Sequence, residues 1–162
     1  MVLKQGDLGL LNEPVAQELL TAAIPARLAY TWKDGTPRVV PIGFHWNGED
    51  VVMCSPEGAP KNQVINNSKV AITIDTNVLP FKVLLIRGTA RVTVLQNIPD
   101  EYVKACIQLM GPETAQGWFK TLEPLAPNIK YFTRIAVKPE WVGILDFQAR
   151  FPSAVVKAMG GG

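Results

Sequence analysis

Few side chains in this chain of 162 residues could take part in chemistry. His45 is the sole histidine, so a hydrolytic triad or a Cys-His pair would have to use it, and no partner stands at catalytic spacing. It shares a strand face with Val39, Pro41 and Gly43. There it reads either as a half-exposed, hydrogen-bonded side chain or as a group beside a bound ring. Cys54 and Cys106 have no metal-ligand spacing and form no disulfide framework; they read as buried, reduced thiols. What remains is a set of cations and one helix start. Gly58-Ala59-Pro60-Lys61 opens a short helix expected over Lys61 to Asn67, whose first N–H groups lack helical partners and favour an anion. Lys61 adds a full charge there. Ser55 offers a hydroxyl at the end of the strand before it. Arg87 and Arg91 lie on the polar face of a long strand, where they read either as contacts to a cofactor or substrate phosphate or as members of an interface or surface salt bridge.

Composition limits what these groups can do. A net charge of +2 argues against a nucleic-acid binder, which needs a dense basic face, yet one phosphate needs only one or two cations. With 48 % apolar residues the chain can bury a real core. The longest uninterrupted apolar run, Val83 to Ile86, is far too short to span a membrane, and the first residues lack the apolar stretch of a signal peptide. A cytoplasmic protein is expected, built as one domain over residues 1–162 with a disordered tail from 158 to 162.

The elements that must position these groups are mostly strands. Arg27 to Trp32 alternates, Lys33-Asp34-Gly35-Thr36 turns, and Arg38 to Trp46 returns; Asp-Gly is a strong two-residue hairpin signal. Asn47-Gly48 turns again into Val51 to Cys54. Lys69 to Asp75 puts Val70, Ile72 and Ile74 on one face. In the long strand from Val83 to Leu95, Leu84, Ile86, Gly88, Ala90, Val92 and Val94 form the apolar face, and Gly88 marks a bulge or a close backbone approach. Two more strands are expected, Ile129 to Val137 and Trp141 to Phe147. One helix starts at Asn12-Glu13-Pro14 with Asn12 as its cap. Another follows Pro99 with Tyr102, Val103, Cys106, Ile107 and Met110 buried, a third runs from Glu113 to Leu122, and a short one follows Phe151. Six or seven strands with inserted helices fit one closed antiparallel barrel better than an α/β sheet.

The order of "ARLAYTWKDGTPRVVPIGFHWNGEDVVM", "APKNQVINNSKVAITID" and "VLLIRGTARV", with "TRIAVKPEWVGILDF" later, resembles the FMN-binding split β-barrel family, the pyridoxamine 5′-phosphate oxidase-like proteins and their deazaflavin-using relatives. The resemblance implies a mainly β, split antiparallel barrel, a homodimer with a flavin-type cofactor at the subunit interface, and hydride transfer through FMN to an unidentified small substrate. The scarcity of acid–base clusters agrees with a cofactor carrying the chemistry. By resemblance, Arg38, Val39, Val40 and Pro41 run beside the flavin ring, and Arg38 also reaches towards the phosphate. Cys54 and Ser55 stand where relatives place hydroxyl residues near the phosphate, Lys61 near the phosphate itself, and Lys82 and Arg87 where relatives contact the cofactor. Trp141 matches an aromatic that relatives lend from the second subunit.

The chain departs from the pattern in two places. An ungapped comparison anchored on Asn66 to Val70 puts Ala59 and Pro60 where many relatives carry Arg-Lys, so Lys61 stands one position late. This leaves room for coenzyme F-420 in place of FMN, or for a non-catalytic flavin- or haem-binding protein. The segment from Trp141 to Pro152 lacks the Arg-containing substrate motif of true pyridoxamine phosphate oxidases, so that activity is not expected.

Overall fold

The computed structural model describes residues 3–160. Seven strands, β1 (Ala26–Thr31), β2 (Pro37–Ile42), β3 (Phe44–Trp46), β4 (Val51–Pro56), β5 (Lys69–Asp75), β6 (Val83–Leu95) and β7 (Phe132–Leu145), form one sheet in the order β2-β1-β5-β6-β7-β4-β3. Every pairing is antiparallel. The two edge strands are consecutive in the chain and are separated only by Gly43. The sheet therefore curls until one bent stretch forms both of its edges. Its first half bonds to β1 and its second half to β4. The barrel is split, as the resemblance implies, and does not close: β3 pairs with β4, whereas on the other side of Gly43 β2 pairs with β1 and no ladder joins β2 to β4.

Alternation builds the core. Leu28, Ile72, Ile74, Leu84, Ile86 and Ile135 are almost fully buried, with Phe44 and Met53 from the split side. The apolar face of β6 holds through Ala90 and then frays, since Val92 is half-buried and Val94 is 56 % exposed. The ladder slips between Arg87 and Gly88, and a Cβ on Gly88 would lie 2.2 Å from the Lys138 carbonyl oxygen, so the expected bulge and close approach coincide. Across that slip Pro139 pairs with Gly88. A proline is tolerated at a bulge, so β7 runs unbroken where two strands were expected.

The described residues also form four helices, α1 (Pro14–Thr21), α2 (Asp100–Met110), α3 (Pro112–Leu122) and α4 (Ser153–Ala158), of which α1 and α2 pack on the sheet and α3 packs on α2. Ala16, Leu19 and Leu20 of α1 are buried. Asn12 does not cap α1; it ends a separate 3₁₀ turn, Leu8–Asn12, and Pro14 begins the helix after Glu13. Helix α2 packs on β3 and β4 through Ala105 and Cys106, whereas Ile107 is 41 % exposed and leaves the expected stripe. The helix expected from Lys61 to Asn67 is only a 3₁₀ turn, Pro60–Gln63. Val64 and Ile65 are β-branched, Ile65 is fully buried, and Asn67 adopts φ +58° so that its N–H reaches the Ala90 carbonyl at 2.8 Å. Of the tail expected to be disordered, Ala158 closes α4, and residues 161–162 lie outside the described residues. Among the described residues no helix is long and apolar enough to cross a membrane.

Candidate functional site

The split in the barrel makes a cleft of about 460 Å³ between β2, the end of β4 and the 60–63 turn. Strand β2 forms one wall from Arg38 to Ile42, with Tyr30 of β1 behind it; Cys54 to Pro56 form the other, and Pro60 and Lys61 close the end. Hydrogen-bond parity tells which backbone groups face the gap. The Trp32 N–H bonds the Thr36 carbonyl at 2.8 Å, and bonded pairs alternate along an antiparallel ladder. Arg38, Val40 and Ile42 are then the residues bonded to β1, and Pro37, Val39 and Pro41 turn their backbones to the open side. The same parity reaches His45, which pairs with Val52 of β4. Both prolines thus occupy positions where a missing N–H costs no ladder bond. Val39 keeps a free N–H and carbonyl at the gap, and its side chain is 63 % exposed.

The closed end of the cleft is polar. Lys61 is only 8 % exposed, and its ammonium donates to the Ser55 hydroxyl at 3.3 Å. It belongs to no ion pair among the described residues. Burial holds its pKa below the ordinary lysine value. Asn62 Nδ2 donates to Thr133 Oγ1 at 2.9 Å and to Ser55 Oγ at 3.5 Å, while Asn62 Oδ1 is buried without a partner. At the mouth Arg38 is exposed, stacks on Trp32 with its guanidinium carbon 4.8 Å from the ring centroid, and also stands outside the described ion pairs.

Seven expected residues therefore meet at one cleft: Arg38, Val39, Val40, Pro41, Cys54, Ser55 and Lys61. The anion-binding helix start does not, because a four-residue 3₁₀ turn stands in its place. Cys54 contributes to the wall, yet its side chain packs with Val52, Ala136 and Tyr102 under α2. Burial, with Glu101 adding, pushes its thiol up to about 12, which leaves it protonated and inert at neutral pH. Lys82 lies away from the cleft, held by both carboxylate oxygens of Glu18 on α1 at 2.7 Å. Arg87 stacks on Trp141 at 4.0 Å and lines a separate depression with Lys69 and Glu140, which shares Tyr30 with the cleft. Arg91 pairs with Asp50 at 3.2 Å. His45 is half-buried on β3, outside the cleft lining, with its pKa lowered by burial and by Lys104. Sequence reasoning missed Asn62, Thr133 and Tyr30. Neither Asn62 nor Thr133 has a local signal, because β7 brings Thr133 opposite Ser55 from 78 positions away in the chain.

Residues 13–146 match the pyridoxamine 5′-phosphate oxidase family. The chain belongs to this family. No curated protein matches it in sequence. Among solved structures, an F-420 reductase is 22 % identical, with a TM-score of 0.59, over 78 % of this chain and 94 % of its own. An FAD and heme binding protein from Mycobacterium smegmatis is 18 % identical with a TM-score of 0.56, over 93 % of this chain and 78 % of its own. The heme storage protein HutZ from Vibrio cholerae is 18 % identical with a TM-score of 0.55, over 83 % and 93 %. At these identities the likeness shows a shared fold. Among the described residues, no group of three or more His, Cys, Asp or Glu could hold a metal ion.

Proposed function

We propose that the cleft binds a flavin-type cofactor, FMN in the first place, and that the protein is an oxidoreductase passing hydride to or from a small substrate. The proposal includes a homodimer in the cytoplasm with the cofactor at the subunit interface, where Arg87 or Trp141 of a second copy would complete the site. One observation carries the reading: a lysine 8 % exposed, without a carboxylate, at the closed end of a cleft. A buried ammonium is costly unless it is paired, and a phosphate group is the partner that the family's cofactors bring. The remaining donors fit the same ligand. Val39 offers a free backbone N–H and carbonyl to the polar edge of a ring, and Val39 and Pro41 give an apolar wall to its face. Lys61 and Ser55 would hold the phosphate. A bound flavin supplies the hydride chemistry, and the chain supplies position, charge and exclusion of water.

Coenzyme F-420 is the second reading. Arg38, exposed at the mouth and free of the described ion pairs, suits the larger charged tail of that cofactor. Haem is less well served, because the only histidine stands on β3 outside the cleft lining. Titrating the apoprotein with FMN and with F-420 under identical conditions, followed by absorbance, tests the proposal. Saturable binding of one of them supports it; binding of neither overturns it.

A further inference from the structure

At the closed end of the cleft, Asn62 stands behind the Ser55 hydroxyl. Ser55 Oγ has two neighbours within hydrogen-bonding distance, Lys61 Nζ at 3.3 Å and Asn62 Nδ2 at 3.5 Å. An ammonium and an amide nitrogen can only donate. Both lone pairs of the Ser55 oxygen are therefore engaged, and its own O–H proton is left over. Ser55 lines the cleft and is 8 % exposed, and among the described residues no acceptor takes that proton, so it is free to point into the cleft. Asn62 is itself anchored: its amide nitrogen also donates to Thr133 Oγ1 at 2.9 Å, and Thr133 is 2 % exposed on β7.

We infer that Asn62 is a positioning residue, fixing the Ser55 hydroxyl as a donor so that Ser55 and Lys61 together present two donors to one anionic group. This rests on the reading that a phosphorylated flavin occupies the cleft, and it explains how the chain manages without the Arg-Lys pair at Ala59 and Pro60. One buried cation is supplemented by a hydroxyl whose direction is set from behind. Thr133 holds the amide from a strand that also pairs with β4, so the network ties the 60–63 turn to the sheet. Asn62 touches no ligand itself; its effect passes through Ser55.

A double-mutant cycle tests this on the full chain, with FMN and riboflavin as the two probes. Ser55→Ala is expected to weaken FMN about tenfold or more, the cost of a hydrogen bond to a charged group, and to leave riboflavin within about twofold. Asn62→Leu, of similar volume, is expected to weaken FMN about three- to tenfold, again with riboflavin unchanged. The double variant should bind FMN no more weakly than Ser55→Ala alone, because Asn62 has nothing left to orient. Additive losses, or equal losses for FMN and riboflavin, would overturn the positioning role and make Asn62 a support of the turn alone. So would an Asn62→Leu variant that binds FMN like the wild type while Lys61→Ala does not. If the wild-type protein bound neither probe, the cofactor reading itself would fail, a result distinct from all of these.

Discussion

Replacing Lys61 by methionine should pull stability and cofactor binding in opposite directions. In the free protein the ammonium is 8 % exposed and has a single neutral partner, the Ser55 hydroxyl at 3.3 Å. Methionine keeps much of the unbranched stem and removes the charge. Exchanging a poorly compensated buried charge for an apolar group of similar volume stabilises by roughly 1–4 kcal/mol, and about 1–2 kcal/mol is expected here because the lysine stem already packs. For a chain of this size that raises the Tm of the apoprotein by about 2–8 °C. With FMN present the order reverses, because loss of a charge-assisted contact costs about 1.5–3 kcal/mol, or ten- to a hundredfold in affinity. The pH dependence carries the same signature. Burial lowers the Lys61 pKa in the folded state, so the unfolded chain binds more protons between that lowered value and the ordinary lysine value. Stability of the apoprotein therefore gains a rising contribution with pH in that window, while phosphate binding weakens through it. Lys61→Met should abolish both slopes. Thermal melts of the two proteins, with and without FMN, across that range provide the assay. A methionine variant that melts lower without FMN and binds FMN as tightly as wild type would refute the argument.

Gly35 adopts φ +83° at the tip of the β1–β2 hairpin with open space around it, so Gly35→Val should cost about 1–3 kcal/mol in denaturant unfolding through backbone strain alone; an unchanged midpoint would contradict the turn. Gly88→Ala drives a methyl against the Lys138 carbonyl at the bulge and should cost about 2 kcal/mol or more by the same measurement, whereas a neutral result would mean that the β6–β7 ladder is looser than it looks. A homodimer should give twice the chain mass by light scattering at micromolar concentration, and a clean monomer would remove the shared site. Cys54, with its thiol pushed up to about 12, should resist alkylation at neutral pH until the protein is unfolded; rapid labelling of the native protein would show an open thiol instead.

Much of this architecture can be read from residue order because local rules and global fold agree. Val70, Ile72 and Ile74 alternate and are buried, and Gly88 sits at the bulge. The Asp34-Gly35 signal also marks a real hairpin, although the bonds from Gly35 to Trp32 and from Trp32 to Thr36 make a three-residue loop with glycine in the left-handed position, not a two-residue one. Elsewhere tertiary contacts override local preference. The stretch after Pro60 reads as the start of a helix, but the demand to bury Ile65 and to bond Asn67 to Ala90 ends the turn at Gln63. Pro139 reads as a break until its partner across the ladder is known to be a bulged glycine. The cleft shows the same division. Arg38 to Pro41, Ser55 and Lys61 belong to motifs that chain order exposes. Asn62 and Thr133 matter only because β4 and β7 lie side by side, and the divergence of β2 from β4 is a property of the whole sheet. Lys82 and Arg87 carry plausible charge, yet Glu18 and Trp141 hold them elsewhere within one chain.

Titration of the apoprotein with FMN and with riboflavin, followed by flavin fluorescence, tests most directly whether the split of the barrel is a phosphate-anchored cofactor site. The wild-type protein should bind FMN saturably and about ten- to a hundredfold more tightly than riboflavin, and Lys61→Ala should erase that difference while binding riboflavin as before. Equal affinity of the wild type for FMN and riboflavin, or an FMN affinity that Lys61→Ala leaves unchanged, would contradict the account.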